Sequence, residues 1–258
     1  MKTRFYAATA LATLWTIGAA SAADLPRPMY TKAPLMPAPM MYNWTGFYIG
    51  ANVGGSWGRQ DASLATPTGV STASPDLNGV IGGGQFGYNW QGMGSPWVLG
   101  LEADIQGAGQ RGSGAFATPA GLPGGVPPVP GAAISFEDKL EWFGTVRGRV
   151  GYALGDGRWL PYVTGGLAYG GGNINGTGTI GTGPGVATAV AFSNDSTYVG
   201  WTIGAGLEYA FADKWSAKLE YLYMDLGNGP TVSLSPSNTI STGRMTDNIG
   251  RVGVNYHF

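Results

Sequence analysis

The sequence has no cysteine, a single histidine and only 11% charged residues over 258 positions. Without cysteine there are neither disulfides nor thiolate metal ligands, which an oxidising compartment permits without requiring. One histidine among scattered carboxylates is no ligand set for a transition metal, so neither metal nor other cofactor is expected. So few charges would solvate a soluble domain poorly, and nothing in their distribution points to a nucleic-acid partner. Beyond the first residues no apolar run reaches the roughly 20 residues of a membrane helix. If the chain crosses a bilayer, it does so as strands.

Glycine, at 46 residues, and aromatics, at 12%, are in excess. The glycines have no three-residue period, which excludes collagen, and the aromatics argue against disorder. At the start, Lys2 and Arg4 precede a mostly apolar stretch from Phe5 to Ala20 and the small residues Ala20-Ser21-Ala22. This is the pattern of a secretory signal, residues 1–22, cleaved between Ala22 and Ala23. Thr9, Thr13 and Thr16 interrupt it too often for a membrane anchor. Its removal leaves 12 basic against 15 acidic residues. Residues 23–43 carry Pro26, Pro28, Pro34, Pro37 and Pro39 without alternation, and read as an extended periplasmic arm.

From residue 44 to 258 the chain reads as all-β, an eight-stranded antiparallel transmembrane β-barrel. Apolar residues alternate with small or polar ones in segments 46–57, 79–90, 97–106, 140–152, 160–169, 198–209, 215–225 and 248–258. The links Gln91 to Pro96, Ala153 to Trp159 and Ala210 to Lys214 are short. Those around Gln60 to Asn78, Gly107 to Lys139, Gly170 to Thr197 and Leu226 to Asp247 are long. Short periplasmic turns and long, mobile extracellular loops are therefore expected.

Period two also assigns faces. Trp97, Leu99, Leu101, Ala103 and Ile105 share one face and Val98, Glu102, Asp104 and Gln106 the other. The same phase turns Glu102, Asp104, Glu208 and Glu220 inward with Arg147, Arg149, Lys218 and Arg251, four charges of each sign. Alternation alone would keep such residues off lipid. A salt-bridge plug across the lumen is the sharper reading, since unpaired burial costs several kcal/mol per group. Trp44, Trp90, Trp97, Trp159 and Trp215 fall at predicted periplasmic strand ends, with Trp57, Trp142, Tyr169, Trp201 and Tyr223 toward the opposite rim, the pattern of two interfacial girdles. A water-soluble ligand-binding barrel would have the opposite phase, apolar inside and charged outside.

Chemical motifs are weak. Gly82-Gly83-Gly84-Gln85-Phe86-Gly87 matches a dinucleotide fingerprint in letters but lies within a predicted strand, with no helix to receive a phosphate. His257, near the periplasmic end, cannot also serve a triad at the outer rim, so no enzyme is expected. Glu102 and Asp104 could do acid–base work at their spacing, but the nearby bases favour structural pairing.

The start Ala23-Asp24-Leu25-Pro26, the opening Asn43-Trp44-Thr45-Gly46-Phe47-Tyr48-Ile49-Gly50, the run Trp142-Phe143-Gly144-Thr145-Val146-Arg147-Gly148-Arg149 and the ending Tyr256-His257-Phe258 resemble the OmpA-like small porin and outer-membrane immunogenic protein family of alphaproteobacteria. The resemblance implies a barrel in the outer membrane of a Gram-negative bacterium, among its lipid and lipopolysaccharide. It implies that the barrel-assembly machinery reads the aromatic end, Tyr256 and Phe258. Ala23 resembles a start that related barrels join to peptidoglycan, which makes it the candidate attachment point. The function expected is a structural barrel with a charge-plugged lumen, supporting envelope integrity and surface contact through its loops. A small porin passing solutes or ions is the alternative. Oligomeric state is not legible.

Overall fold

The structure, a computed structural model, describes residues 41–66, 69–117, 133–183, 186–229, 231–235 and 238–258. The expected signal, its cleavage point at Ala22 and Ala23, and the arm up to residue 40 lie outside them. The chain divides into Met1–Ala38 and Pro39–Phe258, and only the second unit contains described residues.

That unit is a single antiparallel sheet. Its strands are β1 (Gly46–Thr66), β2 (Gly69–Ala73), β3 (Asp76–Gln91), β4 (Trp97–Ala117), β5 (Ala133–Tyr152), β6 (Trp159–Gly183), β7 (Val186–Ala212), β8 (Trp215–Asn228), β9 (Thr231–Ser235) and β10 (Asn238–His257). Neighbours run β2-β1-β3-β4-β5-β6-β7-β8-β10-β9, and β1 also pairs with β10. The order of the long strands therefore returns to its start, with β2 and β9 as short additions at one end. The tight links sit at the other end, where Gly94 (φ 71°), Gly155 (φ 61°) and Gly157 (φ 85°) take left-handed conformations that a Cβ would strain.

Ten strands are present: the eight expected segments fall on the eight long ones, β2 and β9 are added, and among the described residues the open connections expected between them are largely strand. β4 runs to Ala117, and β6 and β7 pair from Trp159–Tyr209 out to Gly183–Val186. Two physical causes hide this from hydropathy. The added segments are rich in Gly, Ala, Ser and Thr with larger residues such as Leu64, Phe116 and Ile174 scattered among them, so the apolar–polar contrast is weak although the backbones pair. Register shifts at Gln60/Ala62, Gly107/Gln110 and Leu140/Trp142 also reset the side-chain phase, as β-bulges do.

Within the alternating segments the expected faces are observed. Leu99, Leu101 and Ile105 are exposed and Val98, Glu102, Asp104 and Gln106 buried. Trp90, Trp97, Trp159 and Trp215 are exposed at the tight-turn end, and Trp57, Trp142 and Trp201 toward the other. Trp44 departs from this pattern, since it is 0% exposed and packs inside with Val98, Ala153, Leu160 and Ala210. It precedes β1, so no ladder fixes its phase, and burial of the indole inside the mouth decides its direction.

The interior is layered. Above the Trp44 cluster come the charged residues, then an apolar layer including Leu77, Ile81, Leu140, Phe143, Leu222, Met224, Leu226 and Ile249. A last apolar layer contains Leu64, Phe116, Ile134, Phe136, Ile174 and Ile240. One strand shows the succession: along β8, Ser216, Lys218 and Glu220 give way to Leu222, Met224 and Leu226, all inward and buried.

Candidate functional site

The charged layer is assembled from direct cross-strand pairs and from reaches across the interior. Glu102 lies opposite Arg147 in register and Glu220 opposite Arg251. Arg147 donates through Nη2 to Glu102 Oε1 at 2.5 Å and Asp104 Oδ2 at 2.9 Å, and through Nη1 to Glu220 Oε1 at 3.1 Å. Arg251 meets Glu220 Oε2 at 2.6 Å and Asp104 Oδ2 at 2.9 Å. Lys218 lies opposite Glu208 in register, yet its Nζ donates to both oxygens of Glu102 at 3.0 Å. Glu208 instead receives Arg149 Nη2 at 2.6 Å. All eight residues singled out from the sequence thus join one continuous cluster, each at most 4% exposed.

Neutral groups complete the cluster, and charge counting does not single them out. Tyr48 OH donates to Glu102 Oε2 at 2.8 Å and Tyr162 OH to Glu220 Oε1 at 2.9 Å. The Arg149 guanidinium lies 4.1 Å from the centroid of the Tyr162 ring, a cation–π contact. Thr145 donates to Asp104 at 2.8 Å, and Asn255 Nδ2 to Glu208 Oε1 at 2.7 Å. Asn255 in turn accepts from Gln85, which accepts from Asn52. Tyr48 and Tyr162 stand opposite Gly87 and Gly206, where a Cβ would collide with the rings. The parity of each strand is the available signal, because Tyr48 shares its phase with Asn52 and not with Phe47 or Ile49.

His257 lies at the tight-turn end of the cluster and brings together three residues whose types suggest nucleophilic chemistry. Ser216 Oγ is 2.9 Å from His257 Nε2, and Glu208 Oε1 is 3.7 Å from the same nitrogen. The hydrogen-bond order opposes that chemistry. Ser216 donates its one proton to Glu208 Oε1 at 2.6 Å, so its oxygen can only accept from His257. A nucleophile needs the reverse, with the imidazole taking the hydroxyl proton. Glu208 is also held by Arg149 and Asn255 and acts as a fixed anion.

Trp44 closes this end. Its backbone N–H donates to Gln91 Oε1 at 3.0 Å and its indole Nε1 to Gly157 O at 2.7 Å, with ring centroids 4.9 Å from Tyr42 and 5.6 Å from His257. At the chain end, Phe258 is 71% exposed, and its N–H donates to Phe47 O at 3.1 Å. Tyr256 packs on Trp215 and Phe258 at the same rim. Ala23, the candidate attachment point, lies outside the described residues.

A family model for the outer membrane protein beta-barrel domain matches residues 9–258. The chain is 37% identical over 227 residues to a 31 kDa outer-membrane immunogenic protein of Brucella melitensis, covering 84% of this chain and 85% of that one. It is 32% identical over 197 residues to a 22 kDa outer membrane protein of Rhizobium leguminosarum, covering 75% and 68%. Among solved structures, the outer membrane protein OprG from Pseudomonas aeruginosa is similar with a TM-score of 0.44 and 14% identity, covering 84% of this chain and 98% of that one. That likeness is loose, and nothing about the chemistry of this chain follows from it.

Proposed function

The chain belongs to the outer-membrane protein β-barrel family and its place is the outer membrane of a Gram-negative cell; from that premise we propose a sealed, eight-stranded transmembrane barrel that supports the envelope structurally. The spanning segments are the stretches between the two aromatic rows, such as Trp142 to Tyr152 on β5 and Trp201 to Tyr209 on β7. These match the roughly 9–11 residues a tilted strand needs to cross the hydrocarbon. The tight turns face the periplasm and the extended strand ends face outward, where they offer surface for contact with other molecules.

The observation that carries the reading is the continuous ion-pair and hydrogen-bond cluster to which all eight long strands contribute: Tyr48 from β1, Gln85 from β3, Glu102 from β4, Arg147 from β5, Tyr162 from β6, Glu208 from β7, Lys218 from β8 and Arg251 from β10. Eight strands enclose a space that side chains just fill. Here the filling consists of charges that each hold at least one ion-pair partner, set between largely apolar layers. A porin needs the opposite, a hydrated path whose wall charges stay free. The deciding measurement is conductance of the purified full chain in planar bilayers. The sealed barrel gives no stable current steps, and reproducible steps whose ion selectivity moves with Arg149→Gln would establish a pore.

A further inference from the structure

Trp44 fills the periplasmic mouth, yet the contacts that hold it are made outside the strand ladder. Ladder pairing begins at Gly46, whose φ of 145° lies in the region that favours glycine. Trp44 is tied to two different turns: Gly157 O accepts from its indole Nε1, and Gln91, which accepts from its backbone N–H, donates its own amide to Ser95 O at 2.9 Å. Tyr42 N–H adds a bond to Asp156 O at 3.1 Å. Behind the ring lie His257 and, bonded to it, Ser216, which leads to Glu208 and Asn255. A buried ring on a short tether, joined to the ladder through a glycine and covering a polar pocket, is the construction of a stopper.

We propose that residues 41–45 form a removable stopper whose withdrawal, hinged at Gly46, opens the periplasmic end of the lumen as far as the Glu208–Arg149 pair. The chain N-terminal to Met41 leaves directly from this segment, so tension along it reaches Tyr42 and Trp44 before it reaches any ladder hydrogen bond. Withdrawal breaks the Nε1 bond to Gly157, the Trp44 N–H bond to Gln91 and the Tyr42 N–H bond to Asp156. It also breaks the two bonds between Thr45 Oγ1 and the Gln91 backbone and the apolar contacts with Val98, Ala153, Leu160 and Ala210, and leaves the charged cluster paired. The proposal deepens the sealed-barrel reading. Its test is separate, because conductance reports the whole lumen whereas labelling at the mouth reports the stopper alone.

The absence of native cysteine allows a clean probe. Val98→Cys places a thiol of similar bulk beside Trp44, at a position 1% exposed, and Met93→Cys places a reference thiol on the exposed first turn. The full chain is reconstituted in lipid nanodiscs, checked for folding by its heat-modifiable mobility, and treated with a membrane-impermeant maleimide. With Trp44 present, the Val98→Cys thiol is expected to react far more slowly than the Met93→Cys thiol. In the Trp44→Ala background the Val98→Cys thiol should react about a hundredfold faster, the scale set by losing a buried aromatic. Tension through an N-terminal handle should accelerate the same thiol with Trp44 intact. Rapid reaction of the Val98→Cys thiol in the otherwise native background, or a rate indifferent to both Trp44→Ala and tension, would overturn the stopper.

Discussion

Arg147 is held by three carboxylates at once, Glu102, Asp104 and Glu220, while its Nε donates to Thr145 Oγ1 at 2.9 Å. Removing it leaves three buried anions sharing the remaining cations, so Arg147→Met should cost about 3–5 kcal/mol in urea unfolding from detergent. Arg147→Lys should recover only part, since an ammonium lacks the planar fork that reaches several acceptors. Arg59→Ala, which breaks an ion pair whose side chains are 66% exposed, should leave the midpoint unchanged. Equal effects of the two arginine losses would remove the case for a cohesive cluster. Asp138 behaves differently. It lies beyond the aromatic row at Trp142, outside the spanning segment, and burial pushes its carboxyl up to about 6. The folded state therefore holds a proton that the unfolded chain releases near pH 4. Stability falls as pH rises through this window, and the loss is complete above about 6. Asp138→Asn should thus be more stable than the parent at pH 8 by about 3 kcal/mol and no different near pH 3; an unchanged difference across that range would refute the assignment. The eight cluster charges were legible because strand parity turns any charge on the polar phase inward. Their partners were not. Lys218 faces Glu208 in register but reaches Glu102, while Glu208 is held by Arg149.

At the scale of elements, segments with strong apolar–polar contrast were readable and those without it were not. β4 is apparent from Trp97 to Gln106 and then passes into Gly107–Ala117, where the shift at Gly107/Gln110 and a run of small residues erase the pattern. Arg111, Lys139, Asn173 and Asp195 nevertheless stand in one continuous row across β4, β5, β6 and β7. Backbone pairing continues where hydropathy gives no sign of it. β10 is the element that closes the order, pairing with β1 from Tyr48–His257 to Ala65–Thr239. Phe258 lies just past it and contributes one backbone hydrogen bond and an exposed ring. Deleting Phe258 should therefore lower the unfolding midpoint of refolded protein only slightly, while sharply reducing the amount assembled into outer membranes of living cells. Matching losses in both assays would make Phe258 a structural residue, not an assembly signal.

For the whole molecule, the proposed sealed barrel would be closed redundantly by its layered interior. The Trp44 cluster, the charged layer and the apolar layer at Leu222, Met224 and Leu226 lie in series along the axis. Ions crossing the lumen would meet each in turn, so the least permeable layer limits the current. Opening one layer should then leave the barrel silent. Trp44→Ala admits water only as far as the Glu208–Arg149 pair. The double exchange Arg149→Gln with Glu208→Gln keeps hydrogen-bonding capacity without charge, and still faces the packed layer of Phe143, Leu222 and Met224, where an ion would lose most of its hydration. Leu222→Ser with Met224→Ser wets that layer but leaves the charged cluster closed below it. Combining the three sets in a protein whose heat-modifiable mobility shows it folded should produce current steps that none produces alone, a non-additivity expected of barriers in series and not of independent leaks. A single set that conducts as well as the combination would mean that one layer carries the whole seal, and the other two would then be packing without a role in closure.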